Sequence, residues 1–226
     1  MSGHGELLDI VGAKHKAVYR DYISRVTDPI YPKAKAAELA KKWDFEYWDG
    51  DRRINYGGYY YRPGYWTPVA EALIDRYELN ASSRVLDVGC GKGFLLAEMR
   101  HLIPGITVLG VDISGYAIAN SHPSVTDYLF RSSATELPWD DQSFDLVISI
   151  NTLHNFHCFD LESALLELER VALNKFVVVE SYRTESEKAN LIYWQVTCEA
   201  FCTPEEWVWW FNHCNYSGDF EFIYFD

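Results

Sequence analysis

The chain has 226 residues, 48% of them hydrophobic, and 20 Lys+Arg against 33 Asp+Glu leave a formal net charge of −13. This is the composition of a soluble globular protein of one domain plus an appendage; it excludes disorder throughout and makes phosphate backbones and anionic lipid poor partners, while a cationic ligand would be welcome. Aromatic residues reach 16%, which points to an aromatic-lined site or an oligomer face, a homodimer being the simplest.

At the N-terminus, Leu7, Leu8, Val11, Val18, Tyr19, Tyr22 and Ile23 fall at helix-like spacings, and Asp28-Pro29 ends that helix. Met1 to Arg20 lacks the uninterrupted apolar stretch of a signal peptide, and no run approaches the roughly 18 apolar residues that span a bilayer, so the expected location is the cytoplasm, with no membrane partner. A second helix is expected over Lys33 to Lys42. Then follow Trp43-Asp44-Phe45-Glu46-Tyr47-Trp48-Asp49-Gly50 and Tyr56-Gly57-Gly58-Tyr59-Tyr60-Tyr61-Arg62-Pro63-Gly64-Tyr65-Trp66. The second stretch is too rich in glycine for a helix and too aromatic for an ordinary solvated loop, so it should fold over something. Residues 1–66 therefore read as a helical cap with an aromatic lid.

From Thr67 the texture changes to alternating helices and short apolar strands, which defines a core over residues 67–226. The expected order is a helix to Tyr77, the strand Arg84 to Val88, a helix from Gly93 to His101, the strand Thr107 to Val111 and a helix from Ser114 to Asn120. Strands at Tyr128 to Phe130, Phe144 to Ile150 and Phe176 to Glu180 follow, with a helix at Leu161 to Ala172. Such alternation argues a parallel sheet covered on both faces. The fold class is α/β, a Rossmann-like doubly wound, mostly parallel sheet with an N-terminal cap. Thr203-Pro204-Glu205-Glu206 reads as a capping box with proline at the first helical position, opening a Trp-rich helix to His213. Phe220 to Phe225 forms a last strand. The five cysteines (Cys90, Cys158, Cys198, Cys202, Cys214) are an odd, scattered set and read as reduced thiols; Cys198, Cys202 and His213 make too weak a pattern for zinc, so no metal is expected.

The chemistry concentrates in Val85-Leu86-Asp87-Val88-Gly89-Cys90-Gly91-Lys92-Gly93-Phe94. A strand bearing an acid, then Gly-x-Gly-x-Gly and a helix, lets a ligand press against bare backbone. A phosphate-binding P-loop would need Ser or Thr after Lys92 and a glycine at Leu86, so that reading fails. A dinucleotide fingerprint would need Gly or Ala at Phe94 and would not welcome Asp87 beside a pyrophosphate. What remains is a ligand with a positive group near Asp87 and a ribose farther on. Asp112 lies 21 residues beyond Gly91, at the end of the next strand, where an acid can take both ribose hydroxyls or simply cap a helix.

The segment resembles motif I of the class I S-adenosylmethionine (SAM)-dependent methyltransferases of small molecules. The resemblance covers roughly residues 66 to 181 and implies SAM as cofactor, held by Asp87, Gly89, Cys90, Gly91, Asp112 and Ile113. Ser133-Ala134-Thr135-Glu136-Leu137-Pro138-Trp139 looks like the family's adenine-contacting loop, although family members often carry Asp where Ser133 stands. Asn151-Thr152-Leu153-His154-Asn155-Phe156-His157 resembles the leucine-histidine segment of small-molecule enzymes and differs from the Asn/Asp-Pro-Pro-aromatic motif of enzymes that methylate nucleobase amines. The implied acceptor is a small molecule and no nucleic acid.

Ligands of open α/β sheets bind beyond the carboxyl ends of the strands, which draws in Asn151, His154, Asn155, Glu180, Tyr182 and Arg183. His154 could take a proton from a hydroxyl acceptor or only orient its loop; His154, Asn155, Glu180 and Tyr182 are the candidate catalytic set. Arg183 could bind substrate or pair with Glu185 or Glu187. Tyr59 and its aromatic neighbours could supply faces that attract a sulfonium, as a lid, or pack cap against core. The expected activity is methyl transfer to a small polar metabolite or sugar-like intermediate at oxygen, with transfer to nitrogen, or SAM binding without catalysis, as alternatives.

Overall fold

The computed structural model describes residues 5–12 and 26–226. Among them the chain forms α1 (Lys33–Ala40), α2 (Phe45–Trp48), α3 (Thr67–Arg76), β1 (Arg84–Val88), α4 (Phe94–Leu102), β2 (Thr107–Asp112), α5 (Gly115–Ala119), β3 (Leu129–Arg131) and β4 (Phe144–Ile150). Then come α6 (Cys158–Val171), β5 (Ala172–Glu180), α7 (Glu185–Trp194), α8 (Pro204–His213) and β6 (Asp219–Ile223). The strands make one six-stranded sheet in the order β3-β2-β1-β4-β5-β6, every neighbouring pair parallel. The sheet is thus the doubly wound one expected, and parallel throughout. Because the chain winds outward in one direction from β1 and in the other from β4, the two adjacent strands form a topological switch point, with a crevice beyond their carboxyl ends.

Side chains alternate across each strand, so the apolar runs feed two cores. Val85, Leu146, Ile148, Phe176 and Val178 bury one face beneath Val69 and Leu73 of α3 and Leu96 and Met99 of α4. Leu86, Val88, Val147, Val177 and Val179 bury the other beneath Leu161, Leu165 and Leu168 of α6 and Trp207 and Phe211 of α8. The Thr203 box is present as expected, with Thr203 and Glu206 satisfying each other's backbone N–H groups at the start of α8. The cap has its own small core, in which Ala36, Ala40, Tyr47, Trp48 and Ile54 close on Ala117 and Val196 of the main body.

The N-terminal segment differs from the expected helix at its start. Leu8 N–H donates to Phe220 O at 2.8 Å and Phe220 N–H to Glu6 O at 3.0 Å, so this stretch runs extended beside β6. The Glu221 carboxylate takes N–H groups of Ile10 (2.7 Å), Val11 (2.9 Å) and Gly12. An open strand edge and a buried carboxylate in need of donors override the local helical spacing. Val18 to Ile23 of that expectation lie outside the described residues. No helix among the described residues is long and apolar enough to cross a membrane.

Candidate functional site

A cavity of about 420 Å³ lies at the switch point. Its floor is the turn from β1 to α4. Gly89 (φ +84°) and Gly91 (φ +55°) both take backbone conformations that side chains disfavour. They also lack space: a Cβ on Gly89 would stand 1.9 Å from Thr152 Oγ1, and one on Gly91 would stand 2.9 Å from the Trp48 ring. Gly89 and Cys90 N–H both donate to Val111 O, at 2.8 and 3.0 Å, tying the turn to β2.

Asp87 stands at one side of this turn, 5% exposed and without a cationic partner among the described residues. Burial, and then the charge of Asp112, push its carboxyl up to about 8. Asp112 ends β2. Its Oδ2 accepts Gly91 N–H and its Oδ1 accepts Ser114 N–H, both at 2.8 Å, which leaves each oxygen a further lone pair. Burial raises its pKa, opposed by those two bonds. The alternatives for Asp112 are therefore not exclusive, because it braces the turn and the Ser114 cap while lining the cavity. Ile113, Ser133 and Ala134 line the same wall. The Ser133 hydroxyl is shared with Thr135 Oγ1 at 2.7 Å.

These features fit SAM. Its ammonium would meet a buried carboxylate lacking a counter-charge, its ribose an acid at the end of β2, and its chain a glycine turn that no side chain could occupy. All ten expected cofactor residues line the cavity: Tyr59, Asp87, Gly89, Cys90, Gly91, Asp112, Ile113, Ser133, Ala134 and Asn151. Burial, followed by the charges of Asp112 and Asp87, pushes the Cys90 thiol well up, so it stays neutral.

The four expected catalytic residues divide. Asn155 lines the cavity. It follows Asn151, which takes a left-handed conformation (φ +56°) at the end of β4, and its Nδ2 donates to Asn151 O (3.3 Å) and Thr152 O (3.1 Å). The Oδ1 atoms of both asparagines are buried without a hydrogen-bond partner. His154 is 2% exposed and lies outside the lining. Glu180 N–H points at its Nδ1 and the Glu180 carboxylate faces its Nε2, each at 3.5 Å, an arrangement that places the proton on Nε2. Glu180 is buried too, taking Gln195 Nε2 at 2.5 Å. Tyr182 is packed in the core near Leu191, with Lys188 over its ring. Arg183 pairs with Glu187 rather than reaching the cavity.

The roof is aromatic. Tyr59 stacks on Phe94 (5.0 Å between centroids) and tilts on Trp48 (5.4 Å), and Trp48 stacks on Tyr56 (5.5 Å). Tyr65 and Trp66 line the cavity, whereas Tyr60 points outward and Tyr61 donates to Glu98 Oε1 at 2.7 Å. Trp43, Tyr47 and Trp48 also line the cavity. Their aromatic run is visible in the sequence, but nothing local says that it shares one site with the tyrosine segment. Ser114 makes the connection: its hydroxyl takes Trp48 Nε1 at 2.9 Å and donates to Trp43 O.

A family profile described as "Methyltransferase domain" matches residues 86–175, which span β1 to β5. Among curated proteins, the malonyl-[acyl-carrier protein] O-methyltransferase of Bacillus cytotoxicus is 31% identical over 98 residues, 42% of this chain and 34% of that protein. The U6 snRNA (guanine-N(2))-methyltransferase THUMPD2 of Mus musculus is 33% identical over 117 residues, 48% of this chain and 22% of that protein. The matched region thus spans about a third of the first relative's length and about a fifth of the second's. The solved structure of the YcgJ protein of Bacillus subtilis shares the fold, at a TM-score of 0.53 and 20% identity over 64% of this chain and 66% of that one. Over β1 to β5, with the glycine turn and its two acids, the chain is therefore similar to methyltransferase domains, and its doubly wound sheet is the fold of that solved structure.

Proposed function

We propose that the protein transfers the methyl group of SAM to a small polar metabolite or sugar-like intermediate, at oxygen. The observation that carries this reading is one cavity holding two buried carboxylates, Asp87 and Asp112, under a wall of aromatic rings, with no Lys, Arg or His side chain in its lining among the described residues. SAM supplies an electrophilic methyl group on a positively charged sulfur. Asp87 would hold its ammonium, Asp112 its ribose hydroxyls, and Ile113, Ser133 and Ala134 its adenine. The rings of Tyr59, Tyr47 and Trp48 would face the sulfonium, each contributing roughly 0.5 to 2 kcal/mol.

Methyl transfer is an in-line displacement, so holding the acceptor aligned can contribute about 7 to 11 kcal/mol. Asn155 and Asn151 are the polar side chains placed to do this. Their unpartnered Oδ1 atoms favour an acceptor with a donor group, a hydroxyl or an amine. In this reading the His154–Glu180 pair, behind the lining, fixes the loop that carries Asn155, and proton removal from a hydroxyl by His154 requires that loop to shift. An amine acceptor is the second reading, favoured by a lining that among the described residues holds no histidine to serve as base. The net charge of −13 supports a small acceptor over a nucleic acid.

Calorimetry with SAM, S-adenosylhomocysteine and NAD tests the cofactor. Methyl-labelled SAM, offered with panels of small alcohols, small amines and RNA, tests the acceptor. Labelling of alcohols supports the proposal, labelling of amines selects the second reading, and labelling of RNA alone overturns both. SAM binding without labelling of any acceptor or of cell extract would mark a binding protein.

A further inference from the structure

Lys92 sits inside the glycine turn, 4% exposed, beside a cavity suited to a cationic ligand. A cation there opposes the ligand unless something neutralises it, and the cap does so. Lys92 Nζ donates to Asp49 Oδ1 (2.8 Å), Asp49 Oδ2 (2.7 Å) and Tyr59 O (3.0 Å), so all three of its protons are used. Asp49 also accepts Tyr59 N–H at 3.0 Å and Tyr116 O–H at 2.8 Å. Burial raises the Asp49 carboxyl, but these bonds outweigh it and leave its pKa lowered. Both backbone groups of Tyr59 are therefore held by one ion pair, its N–H by Asp49 and its C=O by Lys92. The Tyr59 ring has its place set from the same turn, because it stacks on Phe94 at the start of α4.

We infer that Asp49 and Lys92 are positioning residues for the SAM site: the pair, by holding both backbone groups of Tyr59, aims the Tyr59 ring into the cavity. This rests on the SAM reading of the cavity. A pair that only stapled cap to core would contribute to stability without regard to what the cavity holds. A pair that positions a cation-binding ring affects sulfonium recognition above all, and does so through Tyr59.

The test is a double-mutant cycle on ligand binding. Melting temperature and the Kd values of SAM and of uncharged-sulfur S-adenosylhomocysteine are measured for wild type, D49N, Y59A and D49N/Y59A. D49N keeps the shape of the side chain and removes its charge. The expected result is a loss of SAM affinity of about tenfold in D49N, a smaller loss for S-adenosylhomocysteine, a similar pattern in Y59A, and a double variant no worse than the poorer single one. Additive losses, equal losses for the two ligands, or a lowered melting temperature with unchanged Kd values would overturn the inference. K92M/D49L, which replaces the pair by apolar groups, carries the same comparison if D49N does not fold. Failure of the wild type to bind SAM would overturn the cofactor reading and this inference together, whereas wild-type binding with an additive cycle removes the inference alone.

Discussion

Asp87 on β1 and Asp112 on β2 flank one glycine turn, and the two carboxyls are treated differently by it: burial and the charge of Asp112 lift the Asp87 carboxyl to about 8, while Gly91 and Ser114 N–H groups steady Asp112 against the burial that raises it. The unliganded site at neutral pH thus carries a mostly protonated Asp87. Binding an ammonium beside it requires that proton to leave. SAM affinity should therefore rise from pH 6 toward pH 8 by up to about tenfold per unit, then fall as the ligand's own amine, of pKa about 8, loses its charge. Calorimetry in buffers of different ionisation heat should register proton release near pH 7. Asp87→Asn should abolish the rise on the acid side; an unchanged pH profile in that variant would count against the assignment.

The same shift makes a statement about stability. A carboxyl whose folded pKa exceeds its unfolded value stabilises the fold fully below the unfolded value, and loses that contribution as pH climbs through the folded one. For Asp87 the loss falls between pH 3.8 and about 8. The unliganded Asp87→Asn protein should therefore melt above wild type at pH 8 to 9 while binding SAM poorly. Equal melting at pH 9 would show that Asp87 is not a buried, charge-averse group.

For Asp112 the expected effect is severe. Asp112→Ala removes the acid for the ribose and strands the N–H groups of Gly91 and Ser114, each a hydrogen bond to a charged group worth about 1.5 to 3 kcal/mol. SAM affinity should drop by about a hundredfold or more, with a lower melting temperature. Asp112→Asn, which can keep one of the two bonds, should lose less of both.

Much of this site is legible in the order of residues, and the rest is not, for physical reasons. The strand, turn and acid are local: Asp87, the glycines and Asp112 are set by consecutive residues and by one βαβ step, so their place in the cavity lining can be read without coordinates. Trp43 and Trp48 are tied to the cavity wall by Ser114, some 70 residues away, which accepts from Trp48 Nε1 and donates to Trp43 O, and no local pattern encodes that meeting. The depth of His154 is similarly hidden. Leu153–Asn155 forms a 3-10 turn, where neighbouring side chains point in different directions, so Asn155 faces the cavity while His154 turns back toward Glu180. The extended run of Leu7 and Leu8 depends on β6, at the far end of the chain.

The consecutive tyrosines of the cap offer a sharp last test, since residues of one type in one segment have three different environments. Tyr59 lines the cavity, Tyr60 is 67% exposed, and Tyr61 gives its hydroxyl to Glu98, which also takes Thr67 Oγ1 at 2.8 Å. Tyr60→Ala should therefore leave SAM affinity and melting within error. Tyr61→Phe should cost about 1 to 3 kcal/mol of stability, the loss of a bond to a carboxylate, with little change in affinity. Tyr59→Ala should weaken SAM binding by about tenfold, and Tyr59→Phe, which keeps the ring, should restore most of it. If the segment closes over the ligand as a lid, saturating S-adenosylhomocysteine should also slow proteolysis between Asn55 and Gly64 in wild type, and much less so in Tyr59→Ala, where the ring that meets the ligand is gone. Cleavage unaffected by ligand in wild type, with Tyr59→Ala, Tyr60→Ala and Tyr61→Phe losing stability alike, would instead make the segment plain packing between cap and core.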